Sequence, residues 1–192
     1  MSVKKTNSQF LCMDRDNLLN RLSRALSKAE AVKIALDKGC IPADLISLSL
    51  YPQNEIAFRA SWVLEQFLYY RKDDLFPFIP DFISGYLIQT NRSCQRHFTK
   101  IMMSLTDSGS STEIKPLITE CQEQIIEITF DWLIDPQTPV AVKVNCMDIL
   151  LHFGKEQAWI TDELRSQVQF LLKDGSAAVQ SRGKRILKKL KS

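Results

Sequence analysis

The chain has 192 residues, of which 45% are hydrophobic and 24% charged, and its formal net charge is +3. This composition is typical of a folded domain with one core, and no apolar run approaches the roughly 20 residues that a membrane-spanning helix needs. Only 6 glycines and 7 prolines leave few turns for an all-β fold.

The first residues of the chain differ from the rest in lacking any apolar period. Residues 1–12 are therefore expected to be a flexible tail that precedes a single domain over residues 13–192. From Asp14 to about Lys38 the sequence is strongly helical, and Ser27 offers a break between two helices. Within this stretch, small or apolar residues occur at offsets 0, +4, +7, +8 and +11, namely Leu18, Leu22, Ala25, Leu26 and Ala29.

The same five offsets recur four more times, and we refer to them as the repeat pattern. Because successive helical residues turn by about 100°, all five positions lie on one side of an α-helix. The copies start 38, 48 and 37 residues apart, which is enough for a helix pair per unit and indicates a helical solenoid. They are Ile56, Ala60, Val63, Leu64, Phe67; Cys94, Phe98, Ile101, Met102, Leu105; Val142, Cys146, Ile149, Leu150, Phe153; and Val179, Gly183, Ile186, Leu187, Leu190.

A second helix is predicted before each of these copies, over residues 43–50, 75–89, 113–134 and 162–173. A polar loop over residues 106–112 explains most of the longer second interval. No segment alternates with period 2, so the sequence predicts no strands.

The last two copies resemble the second helix of HEAT repeats, which reads apolar–basic, then a small residue four positions on, then an apolar pair. Val142-Lys143 is followed by Cys146 and the Ile149-Leu150 pair, and Val179-Gln180 is followed by Gly183 and Ile186-Leu187. The resemblance implies an all-α, right-handed α-α superhelix, a HEAT/armadillo-like solenoid of about four to five helix pairs. The sequence departs from the family where Phe98 occupies the small-residue position and where the second interval is long.

The resemblance also implies where a partner would bind, because the second helices of such repeats line the concave surface. The residues opposite the repeat pattern combine aromatic with basic side chains, which suits an acidic-aromatic peptide or nucleic acid. Alternatively, Phe58 and Trp62 are buried against the N-terminal helices. The candidate partner-binding residues are Trp62, Tyr69, Arg96, Lys100, Arg185 and Lys188.

The sequence contains no catalytic, phosphate-binding or metal-binding motif. Cys94 and His97 are three residues apart on a helix, as metal ligands can be, but Cys94 occupies a core position and is better explained as packing. The acidic stripe of Glu120, Glu123 and Glu127 is typical of a solvated helix face. We therefore expect a protein that is not an enzyme and that holds no cofactor and no metal.

The charges are unevenly distributed along the chain. Residues 107–174 carry 12 acidic and 5 basic side chains, whereas residues 175–192 carry six basic and no acidic ones. The basic C-terminal helix is interpreted as the polar cap that a solenoid end requires, or as a source of phosphate contacts.

Three functions are compatible with these features. The first is a scaffold that binds a protein or peptide partner along its concave face. The second is nucleic-acid binding, which includes the activity of the HEAT-like glycosylases that act on alkylated DNA bases. Resemblance to those enzymes would imply a basic groove with a cluster of aromatic and carboxylate side chains. The third is a small regulatory or assembly subunit with Trp132 or Trp159 at an interface.

Overall fold

The computed structural model describes residues 14–107, 109 and 111–190, so the expected tail over residues 1–12 lies outside the described residues. The described part is entirely helical apart from turns and connections, and no helix in it is long and apolar enough to cross a membrane. It contains one 3-10 turn (Phe76–Phe78) and twelve α-helices. These are α1 (Arg15–Leu22), α2 (Lys28–Leu36), α3 (Pro42–Leu48), α4 (Asn54–Tyr70), α5 (Lys72–Leu75), α6 (Ile79–Leu87), α7 (Arg92–Thr106), α8 (Ile114–Glu120), α9 (Gln122–Ile134), α10 (Val140–Phe153), α11 (Ala158–Leu171) and α12 (Ala177–Lys189).

The helices form two layers. In the inner layer α2, α4, α7, α10 and α12 pack each against the next, while α1, α3, α6, α9 and α11 form the outer layer. Each inner helix thus follows an outer helix in the chain. The expected all-α solenoid of four to five helix pairs is confirmed, with five pairs in the described residues.

The repeat pattern marks the side on which α4, α7, α10 and α12 meet the core. Every residue of the four copies is buried except Ile56, Leu187 and Leu190, which are partly buried. Removing such aliphatic and aromatic side chains from water supplies the main driving force for stacking the helices, at roughly 1.5–3 kcal/mol for each large side chain.

The predicted copy that begins at Leu18 is wrong in its register. Helix α1 ends at Leu22, and α2 begins after Ser27, which forms a capping box with Glu30: the Glu30 amide donates to Ser27 Oγ at 3.2 Å and the Ser27 amide donates to Glu30 Oε2 at 2.7 Å. The inner helix of the first pair is therefore α2, whose buried residues are Ala31, Ile34 and Ala35. The reciprocal cap satisfies two backbone donors and fixes the helix start at this point.

Three of the predicted outer helices also have different bounds. The helix predicted over residues 75–89 spans Ile79–Leu87, after the separate helix α5 and the 3-10 turn. The helix predicted over residues 113–134 is divided at Cys121 into α8 and α9, and the last outer helix begins at Ala158 rather than after Thr161. Thr161 lies inside α11, where its hydroxyl donates to the Gly154 carbonyl at 2.9 Å.

Phe98, the bulky exception to the small-residue position, packs against a glycine. A Cβ on Gly85 would lie 3.5 Å from Phe98 Cε1, and the Phe98 ring stacks on Phe82 with centroids 5.1 Å apart. The HEAT pattern has its small residue on the inner helix. Here the small residue is Gly85 on the outer helix, and the large one is on the inner helix. A large residue thus packs against a small one across the two layers, as in closely packed protein cores.

Trp132, one of the two tryptophans considered for an interface, belongs to the core. It is buried, and its ring packs against that of Tyr86 with centroids 4.6 Å apart. The Tyr86 hydroxyl in turn lies 2.8 Å from Thr129 Oγ1. Only Trp159 of the pair is exposed.

A candidate binding surface on the inner layer

An open cleft of about 610 Å³ lies between α4 and α7. Helix α4 contributes its aromatic and acidic side chains, α7 its basic ones, and Lys28 at the start of α2 closes one end. Four of the six residues singled out from the sequence line it together, namely Trp62, Tyr69, Arg96 and Lys100.

A buried carboxylate organises the floor of the cleft. Glu65 is 4% exposed and accepts hydrogen bonds from Lys100 Nζ at 2.9 Å and from the Tyr69 hydroxyl at 3.2 Å, together with a short contact from His97 Nδ1. Burial by itself raises the pKa of Glu65, but the hydrogen bonds and charges of His97 and Lys100 outweigh it, so the net pKa lies below its ordinary value. Glu65 is thereby held as an anion that ties α4 to α7.

The aromatic wall of the cleft is formed by Phe58 and Trp62, whose ring centroids are 6.2 Å apart. Both are partly buried against the core, and Phe58 also packs on the His97 ring at 5.2 Å. On their other side they face Leu26 in the connection between α1 and α2. The N-terminal segment thus lies beside these rings across a second shallow pocket, and both rings also line the cleft.

The mouth of the cleft carries the exposed aromatic and cationic groups. Tyr69 is 60% exposed, and its neighbour Tyr70 is exposed as well. Lys28 and Arg96 are also exposed, and the Arg96 side chain forms no ion pair with any described residue. Since Glu65 offsets the charge of Lys100, the mouth has a net positive charge from Lys28 and Arg96.

The other two residues of the predicted set, Arg185 and Lys188, lie on α12, far along the inner layer from this cleft. Arg185 Nη2 donates to Asp148 Oδ1 at 3.1 Å, and Arg182 forms a second, closer ion pair with the same buried carboxylate. Lys188 is exposed in the last turn of α12. Arg185 therefore contributes to the packing of α12 on α10, which the sequence analysis did not foresee.

The same arrangement of charges occurs twice along the inner layer. In each case a buried acid on one inner helix, Glu65 or Asp148, binds cations supplied by the next inner helix. Helical geometry alone places both acids opposite the core positions of their copies, but it does not reveal which basic residue each one meets. The missing information is the offset between two helices that are 35 or more residues apart in sequence.

The polar groups on the floor of the cleft are held by partners within the chain. Glu65 has three donors already, and the described residues contain no group of His, Cys, Asp and Glu side chains that could hold a metal ion. Cys94 faces the core, where burial raises the pKa of its thiol to about 11, so it stays protonated and is a poor ligand. Aromatic faces and cations that are pre-positioned by buried contacts are suited to binding a complementary segment.

Comparison with known proteins agrees with this architecture. The family model described as "HEAT repeat domain" matches residues 15–190. The chain belongs to the HEAT-repeat family. A crystal structure of an engineered protein has the same fold as this HEAT-repeat chain, with a TM-score of 0.63 at 13% identity over 92% of this chain and 80% of the engineered one. A search of curated proteins gave no match.

The family assignment accounts for the two layers and for the repeat pattern. A helical-repeat scaffold of this kind presents a continuous inner surface, because each inner helix contacts only its neighbours and repeats the same orientation. The side chains on that surface differ from one repeat to the next, so the partner is determined by those side chains and not by the fold.

Proposed function

We propose that this HEAT-repeat protein is a non-enzymatic scaffold that binds a protein partner on its inner layer. The observation behind the proposal is that Trp62, Tyr69, Arg96 and Lys100, chosen from two repeats of the sequence, line one cleft. The segment that such a cleft would favour is an acidic peptide with an aromatic or aliphatic side chain.

Each group has a distinct part in this binding mode. Trp62 and Tyr69 supply large, stiff surfaces at little cost in side-chain entropy, which is why such residues dominate binding energies. Arg96 presents a planar guanidinium that can pair with a carboxylate in two parallel hydrogen bonds. Lys100 is already anchored by Glu65, so it loses little freedom when a partner binds.

The proposal is tested with fluorescein-labelled peptides of alternating glutamate and tyrosine, compared with peptides in which glutamine replaces glutamate. Fluorescence anisotropy is expected to show that Trp62→Ala and Arg96→Ala each weaken binding roughly tenfold or more. Lys184→Ala is the matched control, because Lys184 is an exposed cation on α12 that is remote from the cleft. Equal affinities for all three variants and the wild type would exclude the cleft as the binding site.

Nucleic-acid binding remains the second candidate, and the observation that favours it is the same juxtaposition of aromatic rings with Lys28 and Arg96. Binding to single-stranded and duplex DNA is measured from low to physiological salt. A nucleic-acid function requires an affinity that falls steeply with salt and a shallower salt dependence in Arg96→Ala. The glycosylase variant of this function is disfavoured by Glu65, the carboxylate that lines the cleft with Trp62, because it is buried and bound by three donors.

The expected location is the cytoplasm. In support, the cysteines of the described residues are unpaired thiols, as in proteins of a reducing compartment. Fractionation of cells that express the tagged protein tests this expectation directly.

A further inference from the structure

A second surface with the features of an interface lies on the outer layer, on the side away from the cleft. Trp159 at the start of α11 is 55% exposed, and its ring packs against that of Phe130 on α9 with centroids 6.1 Å apart. Ile134, one turn beyond Phe130 on the same face of α9, is 51% exposed. Contiguous exposed apolar groups of this kind mark interaction sites more often than single exposed residues do.

Acidic side chains surround this apolar patch. Helix α9 carries Glu123, Glu127 and Asp131, all exposed, and contains no lysine or arginine. Helix α11 adds Asp162 and Glu163, and its single cation, Arg165, is paired with Asp162 at 2.6 Å. The outer surface of α9 and α11 therefore has a net negative charge, opposite in sign to the mouth of the inner cleft.

The Trp159 ring is available to a partner. Its indole Nε1 donates to Gln157 Oε1 at 2.8 Å, so its polar edge is satisfied within the chain. Phe130 supports one side of the ring, which fixes its position before anything binds. A tryptophan held in this way, with carboxylates nearby, is the preferred platform for a guanidinium or ammonium group.

We propose that the α9–α11 outer surface docks a basic segment of a second protein, with an arginine or lysine over the Trp159 ring and an apolar side chain between Phe130 and Ile134. Charge complementarity selects this occupant, since the surface offers exposed carboxylates and a single, already paired cation. The proposal is independent of the inner cleft, because it concerns the opposite layer and a partner of opposite charge. Together the two surfaces would let the scaffold hold two different partners at once.

The chain itself contains a basic helix, α12, so a second copy is the natural competing occupant. Two of its arginines, Arg182 and Arg185, are already bound to Asp148. From α12, a second copy would thus offer only the remaining lysines without disturbing a buried ion pair. Its exposed Lys28 and Arg96 line an open cleft and do not form a protruding segment that could reach the Trp159 ring. We therefore commit to a separate basic segment.

The experiment uses a fluorescein-labelled helical peptide of arginine, alanine and leucine, about 16 residues and roughly 24 Å long, with its leucines along one face. Two companion peptides replace arginine by glutamate or leucine by serine. Anisotropy is measured with the full chain and with Trp159→Ala, Glu127→Lys and Phe170→Ala. Phe170→Ala is the matched control, an equally exposed aromatic on α11 without an aromatic neighbour in the described residues.

We expect the arginine–leucine peptide alone to bind well, Trp159→Ala and Glu127→Lys to weaken it roughly tenfold or more, and Phe170→Ala to change it less than twofold. Equal binding by Trp159→Ala and wild type, no binding by the wild type, or equal binding of the serine peptide would overturn the proposal. So would self-association in sedimentation that Trp159→Ala abolishes while the peptide does not bind, because the occupant would then be a second copy.

Discussion

Replacing Glu65 by glutamine tests whether the buried carboxylate holds α4 and α7 together. The substitution keeps the shape of the side chain and removes the charge that His97 and Lys100 meet. Leaving a buried charged group without its partner costs roughly 3–5 kcal/mol, but the Lys100 side chain is 34% exposed and can be rehydrated. We therefore expect the free energy of unfolding to fall by about 2–3 kcal/mol.

The loss is measured by urea unfolding at pH 7, followed by circular dichroism. Glu127→Gln is the control, because Glu127 is exposed and its replacement should change the free energy of unfolding by less than about 0.5 kcal/mol. A Glu65→Gln variant that is as stable as the wild type would refute the idea that the contacts of Glu65 with His97 and Lys100 stabilise the packing of α4 on α7.

The pH dependence gives a second, independent check of the same carboxylate. Since the pKa of Glu65 is lower in the folded protein than its ordinary value of 4.5, its contribution is fully present above about pH 4.5 and is lost as the pH falls through the lowered pKa. The stability difference between wild type and Glu65→Gln should accordingly narrow below pH 4.5. A difference that stays constant down to pH 3 would contradict the assigned charge.

Three further substitutions probe the core, the end of the solenoid and the first inner helix. Phe98→Ala should lower the free energy of unfolding by about 3–5 kcal/mol in urea titrations, because a fully buried ring leaves a cavity beside Gly85. Asp148→Asn should lower the free energy of unfolding by about 1–2 kcal/mol, because Arg182 and Arg185 lose their buried anionic acceptor. Amide hydrogen exchange should accelerate in α12 before it does in the other helices. Ser27→Ala should cost about 1 kcal/mol in thermal unfolding by removing the capping box.

Each of these has a control or an outcome that would contradict it. Gly85→Ala adds a Cβ at ordinary contact distance inside α6, so it should be neutral or stabilising, and a large loss would show that the packing against Phe98 is misassigned. Arg185→Ala should cost less than Asp148→Asn, because its side chain is 53% exposed. The prediction for Asp148→Asn would be contradicted if hydrogen exchange accelerated equally in all helices. The prediction for Ser27→Ala would be contradicted if that variant were as stable as the wild type.

The sequence predicted the inner helices better than it predicted the turns. The spacing of apolar residues at every third or fourth position is a local property of the sequence. The pattern that begins at Cys94 or Val142 therefore identified a buried helix face without knowledge of the neighbouring helices. The prediction for the first copy failed because apolar residues continue past Leu22, whereas helix α1 ends at Leu22 and α2 begins after the Ser27 cap. Two reciprocal hydrogen bonds, from the Glu30 amide to Ser27 Oγ and from the Ser27 amide to Glu30 Oε2, decided that boundary against the apolar period.

The candidate site was predictable only in part, for a different reason. On both α4 and α7, helical geometry determines which residues lie opposite the repeat pattern. Trp62, Arg96 and Lys100 could therefore be selected from the sequence. Their meeting in one cleft depends on how far α7 is shifted along α4, and the shift that is observed brings Lys100 Nζ within 2.9 Å of Glu65 Oε1. The sequence contains no local signal for that offset.

What the sequence determined by itself is the set of buried helix faces and their repetition, because amphipathic periodicity depends only on the geometry of a single helix. What the tertiary structure decided is which charges are paired. It gave Glu65 and Asp148 their cations, placed Trp132 in the core and left Trp159 on the surface. These outcomes depend on contacts between helices that are distant in the chain, where packing fixes the positions and no single helix contains the information.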